Sequence, residues 1–316
     1  MSTLVTGVGL ALPGVRSPED LLGRIEVAGD AVDPAARIGK KGLKYKDRAT
    51  QLALCCADEA LRDAGLFGAD GLSVDGETIA VIVASNYGNV DTVCSVVETI
   101  AADGAASGIS PMDTPNASSN VIASTLAIKY GLRGPNLMIC NGATSGLDAV
   151  RWANSLIAAH RADRALVLGV EPDNEIVRRL TGADHVIDGA AAIVLEHPAA
   201  AAERGAPGRA VVGASVRTAG VRDCLERLSG PERTAPAAWF GPGADEGLDS
   251  AVLGPGTPHH ELAGVWGEES AVLGVLQCAG AVGWFAGGGA GPVFALAGRD
   301  HDDATAGLAL LRPEPV

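Results

Sequence analysis

The side chains that could do chemistry in this chain are few and scattered. Cys140 ends the apolar run Leu137 to Cys140, three residues ahead of Ala143 in the turn NGATSG, and could act as a displaced thiol nucleophile. A cysteine closing a Leu-Met-Ile strand is more often a small packed hydrophobe, and that reading is preferred. His185 precedes Asp188 closely enough for acid/base work, but a histidine beside a turn is more often a solvated or capping residue. His259 and His260 lie in a Pro/Gly loop and read as surface. Glu268 and Glu269 most simply serve the N-terminus of the helix that follows, where the dipole favours negative charge. The six cysteines, Cys55, Cys56, Cys94, Cys140, Cys224 and Cys278, form no CxxC pair or Cys/His cluster at metal spacing. They read as reduced, mostly buried thiols, with neither zinc nor a disulfide framework.

The elements that would position these residues can be read from periodicity. Residues 48–64 put Ala53, Cys56, Ala57, Ala60, Leu61 and Ala64 on one face ahead of Gly65, a plausible C-cap, which predicts an amphipathic helix. Ile79 to Ala84 and Leu137 to Cys140 read as buried strands, Ser145 to Ala159 as a helix. Ala165 to Val170 follows as strand, as does Ala190 to Leu195 after the turn signal Asp188-Gly189. Strands alternating with helices predict a largely parallel, covered sheet. The segment AAAAERGAPGR, residues 198–208, is low in complexity and reads as a surface connection. Beyond it come a strand at Ala210 to Val216, a polar Gly/Pro-rich stretch from Gly230 to His260, a helix from about Ser270 to Phe285, and strands near Val293 and Leu308. Strand, helix and strand in both halves imply an internally duplicated fold, divided as residues 1–197 and 198–316.

Composition narrows the function classes. The chain has 316 residues, 47% hydrophobic and 20% charged, which allows one large compact unit or two fused halves and excludes disorder. Aromatics are 3% while glycine reaches 42 residues, so the core must be close-packed small side chains and β-branched strands. A net charge of −14 argues against nucleic acid and against docking of an acidic carrier domain on most of the surface. The run Leu4 to Leu12 lacks a basic leader and is broken by Gly7 and Gly9, so it reads as a first strand rather than a signal peptide. No stretch is long and charge-free enough to span a bilayer, and a cytoplasmic protein is expected.

The segment SPMDTPNASSNVIASTLAIKYGLRGPNLMICNGATSGLDAV, residues 110–150, resembles the nucleophile region of β-ketoacyl synthases. Further likeness lies in LVTGVGLALPG at 4–14, ADEALRDAGL at 57–66, IAVIVASNYGN at 79–89 and DGAAAIVLE at 188–196. The resemblance implies an α/β chain with a thiolase-like layered αβαβα fold and duplicated halves, the second shortened. Condensation in that family uses a cysteine thiolate at a helix N-terminus and two histidines that polarise the malonyl thioester and stabilise its enolate. Aligned from Gly134-Pro135 to Gly146, the family's cysteine falls on Ala143. The first histidine, in an HGTG-type turn, is matched by Phe240 of FGPG; the second, in a GHxxGAxG-type helix start, by Glu268 of GEESAVLG, with Ala263 where the family has a supporting lysine. All three catalytic positions are therefore degenerate, and no cofactor is implied.

What remains is a partner's role. In chain length factors that resemble ketosynthases, the helix here carrying Val90, Val93 and Val97 lines the far end of an acyl tunnel, although an apolar stripe at this spacing is normally just core. Asp113 falls where ketosynthases commonly place an aromatic residue that crosses the dimer interface. The resemblance thus implies a heterodimer with a catalytic ketosynthase through the strand bearing Asn136, Met138 and Cys140, with the acyl carrier protein met only through that partner. The alanine at 143, in place of the glutamine of many aromatic-type factors, favours a reducing, polyene-forming type II system. The rival readings are a thiolase-fold acyltransferase or cyclase using non-standard residues, and a homodimeric scaffold.

Overall fold

All six residues of Ile79–Ala84 are buried, and they divide strictly by parity: Ile79, Val81 and Val83 join one hydrophobic cluster, Ala80, Ile82 and Ala84 another. A strand so covered on both faces needs a layer of helices on each side. The computed structural model describes residues 3–25, 27, 31–232, 234–241, 250–254, 256–268 and 270–314. In chain order the first half runs β1 (Thr3–Ala11), α1 (Pro34–Ile38), α2 (Arg48–Asp63), the small hairpin β2 (Phe67–Gly68) and β3 (Gly71–Leu72), β4 (Ile79–Ala84), α3 (Val90–Asp103) and α4 (Val121–Tyr130). It continues with β5 (Asn136–Ile139), α5 (Ser145–Ala158), β6 (Arg164–Glu171), α6 (Glu175–Thr181), β7 (Gly189–Glu196) and α7 (Pro198–Glu203). The second half has β8 (Ala210–Thr218), α8 (Val221–Ser229), β9 (Ala238–Phe240), α9 (Ser250–Leu253), β10 (His259–His260), α10 (Leu273–Ala286), β11 (Val293–Ala297) and β12 (Thr305–Leu311).

The duplication is written in the strand order, β10-β9-β11-β12-β8-β1-β7-β6-β4-β5. Counted outward from the junction, each half places its first strand, then its last, then its fourth, second and third. Pairing directions repeat as well: β1–β7 and β7–β6 are antiparallel, β6–β4 and β4–β5 parallel, just as β8–β12, β12–β11, β11–β9 and β9–β10 are. The halves join where β1 meets β8 over Thr3 to Val5. One cluster packs α2 and α4 on the outer face of the first half-sheet, a second buries α5 and α10 between the half-sheets, and a third sets α8 with Trp239, Phe294 and Leu296 on the far face. This is an αβαβα sandwich.

Glycine makes the central layer thin enough. A Cβ at Gly146 would stand 2.7 Å from the Ala271 carbonyl oxygen, and one at Gly274 2.5 Å from the Leu147 nitrogen, so α5 and the start of α10 touch backbone to backbone. Two expectations are corrected. The sheet is mixed rather than largely parallel, because the connection from β6 to β7 carries only the seven-residue α6, which packs on α3 instead of crossing the sheet. Residues 198–203, expected as connection, form α7, with His197 Nδ1 accepting from Ala199 N and Pro198 in the first turn. Among the described residues no helix is long and apolar enough to cross a membrane.

Candidate functional site

The strand-to-turn-to-helix passage from β5 into α5 presents residue 143. Gly142 adopts φ +66° and opens a 3-10 turn, Gly142–Thr144, that runs straight into α5. The loop is locked from behind. Ser145 Oγ accepts from Asn141 N at 2.7 Å, and buried Asp148 accepts from Thr144 Oγ1 at 2.8 Å and Asn141 Nδ2 at 3.0 Å. Arg217 of β8 stands 3.5 Å from that same carboxylate. A rigid turn at the mouth of a helix is the geometry that activates a thiol, and what it offers here is the methyl group of Ala143.

Ala143 lines a cavity of about 460 Å³ whose walls include Ala263, Ser270, Leu273 and Leu296. Glu268 is brought to the same rim because its backbone is stitched to the 185–187 segment, Glu268 N donating to His185 O and Ile187 N to Glu268 O, both at 3.0 Å. Its Oε1 accepts from Ser270 N at 3.2 Å, so it also caps the turn ahead of α10. Asp184, His185, Arg299, His301 and Asp302 also line the cavity, so the rim is polar. No cysteine lines the cavity among the described residues. Phe240 is not drawn in: at the end of β9 it is fully buried, its ring against Gly280 and stacked on His260 with centroids 5.0 Å apart. Of the FGPG turn, Pro242 and Gly243 lie outside the described residues. His259 and His260, expected on the surface, are half-buried in β10 against Trp239 and Phe240.

Cys140 requires a correction. It follows β5 rather than packing within it, and it is exposed. The strand ends at Ile139, whose carbonyl accepts from Ser85 N, and the next residue turns out of the ladder. Partial burial of the thiol and the nearby Glu171 carboxylate push its pKa up, the opposite of an activated nucleophile. Sequence reasoning missed Glu171 altogether, although it is fully buried at the end of β6 and burial pushes its carboxyl up to about 7. It also missed Asn86, whose amide bridges the 142–145 loop and Ser270. Among the described residues no three His, Cys, Asp or Glu side chains gather as a metal site.

The second constellation lies at the sheet edge. Among the described residues β5 pairs only with β4, and the bonds Val81 N to Pro135 O and Ser85 N to Ile139 O show that odd-numbered residues of β5 face that ladder. The main-chain N–H and C=O groups of Asn136 and Met138 therefore point away from the sheet, and Cys140 lies just past the strand's end. α3 has no buried residue; of its apolar stripe, Val90 packs partly buried against the central core. Val90 and Val93 are half-buried, and Val97 is 58% exposed. Asp113 lines a separate cleft of about 370 Å³ with Asp91, Ser95 and Thr99, a cleft that none of the three valines lines. In the single chain these four residues do not form one cavity.

A family model for the N-terminal domain of β-ketoacyl synthases matches residues 15–180, more than half of the chain. The chain belongs to the β-ketoacyl synthase family. This synthase-family chain is 29% identical over 139 residues to 3-oxoacyl-[acyl-carrier-protein] synthase 2 of Coxiella burnetii, covering 44% of this chain and 33% of that protein. It is 33% identical over 126 residues to the tetracenomycin polyketide synthase ketoacyl synthase alpha subunit of Streptomyces glaucescens, covering 37% of this chain and 28% of that one. The matched segments thus span about a third of those relatives' lengths. The ishigamide ketosynthase/chain length factor superposes with a TM-score of 0.78 at 19% identity, over 99% of this chain and 100% of that one. At that identity the likeness establishes the fold.

Proposed function

We propose that this chain is a non-catalytic, chain length factor-like partner of a ketosynthase in a type II polyketide system of the reducing, polyene-forming kind. One observation carries the reading: the turn that presents a nucleophile at the mouth of α5 presents Ala143. The unpaired edge of β5 and the uncovered α3, with Val97, Ile100, Met112 and Ile128 exposed, supply a surface for the partner. Asn136, Met138 and Cys140 form the paired edge in this reading, and a carrier protein meets the complex through the ketosynthase. Incubated with an acyl thioester, the chain should gain no covalent mass; a stable acyl adduct on Cys140 would overturn the proposal. The imidazoles of His185 and His301 at the cavity rim favour the enzyme reading as the alternative. Turnover of an acyl thioester by the isolated chain would support it.

In the complex, Val90, Val93 and Val97 would line the closed end of the acyl tunnel, with Asp113 at its side. Replacing Val93 or Val97 by Phe should then shorten the released chains while the complex keeps its melting temperature. Overpacking of an ordinary core would instead cost about 1–3 kcal/mol. Product lengths by mass spectrometry, read beside the melting temperature, decide it: unchanged lengths from a well-folded variant would remove these valines from the site.

A further inference from the structure

Glu171 ends β6 with its carboxyl wholly inside, and its hydrogen bonds all come from donors. Asn86 N reaches it at 2.7 Å, Tyr87 N at 3.0 Å and Ser85 Oγ at 3.1 Å, and Ala271 N adds a fourth. Two other buried carboxylates have cations, Glu196 facing Arg164 and Arg204 and Asp148 facing Arg217, while Asp47 is met by Thr50 alone. Among the described residues no cation pairs with Glu171. Its surroundings therefore set two effects against each other, four donors that favour the anion and dehydration that favours the acid. The titratable groups facing it are Tyr87 on the turn after β4 and Cys140 after β5, neither a cation, and Tyr87 in turn faces Glu268 ahead of the Ser270 turn.

The turn gripped by Glu171 grips the Ala143 loop in its turn. Asn86 Nδ2 donates to Gly142 O at 3.0 Å and Ser270 Oγ at 2.5 Å, while its Oδ1 accepts from Gly142 N at 3.2 Å and Ser145 Oγ at 3.0 Å. Ser270 is held at φ +42°, a left-handed conformation uncommon for a residue with a side chain. We propose that Glu171 is a proton-operated latch: ionised, it fixes the 85–88 turn and, through Asn86, the 142–145 loop beside the β5 edge; protonated, it lets that cluster shift. The incoming proton settles on Oε2, where Ser85 Oγ, a hydroxyl already bonded to that oxygen, can turn to accept from it. That oxygen then accepts poorly from Tyr87 N, so the turn loses a tether.

Burial places the titration at about 7, above the ordinary 4.5. Because the folded chain holds this proton more tightly than the unfolded chain, the group's contribution to stability is complete below the ordinary value and is lost as pH rises through the folded one. The clamp thus tightens locally in the same window in which the dehydrated charge lowers global stability. Backbone amide NMR of the isolated chain tests the latch without reference to any partner. Amides of Tyr87, Gly142 and Ser145 should titrate together with a midpoint near neutrality. In Glu171→Gln they should stay still. In Asn86→Ala, Tyr87 should titrate while Gly142 and Ser145 do not, so the proposal remains testable if the glutamine variant fails to fold. Flat amides in the wild-type chain, or the same titration persisting in Glu171→Gln, would overturn it.

Discussion

In the proposed complex, Met138→Pro should weaken pairing with the ketosynthase about 30- to 150-fold while leaving the isolated chain folded. The two halves of that expectation have one cause. Alternation along β5 gives residues 135, 137 and 139 to the β4 ladder, so the N–H of Met138 makes no bond within its own sheet and proline removes nothing the monomer uses. On the outward side, the lost donor and the ring's bulk remove edge pairing worth about 2–3 kcal/mol, taking each hydrogen bond at about 1 kcal/mol with its neighbour displaced. Leu137→Pro is the contrast, because its N–H belongs to the β4 ladder and its loss should melt the edge itself. Affinity by titration calorimetry beside thermal melting of each variant reads both effects. A Met138→Pro chain that still binds at wild-type strength would move the interface elsewhere.

Glu196→Ala should cost about 3–5 kcal/mol of folding stability, the loss expected when one partner of a buried ion pair is removed. Glu196 is fully buried at the end of β7; its Oε1 accepts from Thr6 Oγ1 at 2.6 Å and from Arg204, and its Oε2 from Arg164 Nε at 2.9 Å. Removing the carboxylate strands the Arg164 guanidinium, whose side chain is only 7% exposed, without a counter-charge. Burial alone would raise this carboxyl's pKa, but bonds from Arg204 and Thr6 outweigh it and hold the group below its ordinary value. The sign is thus the reverse of Glu171: stability is present above the ordinary carboxylate pKa and is lost as pH falls through the folded one. Urea unfolding at neutral pH measures the loss. A change under 1 kcal/mol, roughly that of an exposed pair, would show the cluster is hydrated.

Much of the strand and helix inventory could be read directly, because β4, β6 and β7 are covered on both faces and appear as unbroken apolar runs. Strand direction was not legible for the same reason. A doubly covered strand carries no mark of its neighbours' orientation, and what decides it is whether α6 crosses the sheet. α8 passed unnoticed although Val221, Cys224, Leu225 and Leu228 recur at i, i+3, i+4 and i+7, a signal present in the letters. The turn that carries Ala143 was legible because it is short and flanked by glycines. Cys140 was misread because one residue separates a packed strand end from an exposed turn. Glu171 gave no sign, since an acid closing a strand before Pro172 looks like a solvated terminus, and only the four converging donors reveal its burial.

Native mass spectrometry of this chain co-expressed with a catalytic ketosynthase and loaded with an acyl thioester tests the central claim most directly. The account predicts a one-to-one complex in which the added acyl mass, after dissociation, rides on the ketosynthase alone, because residue 143 is a methyl group and the Cys140 thiol is held protonated. Acyl mass on this chain, or a chain that ignores the ketosynthase and stays by itself, would contradict it.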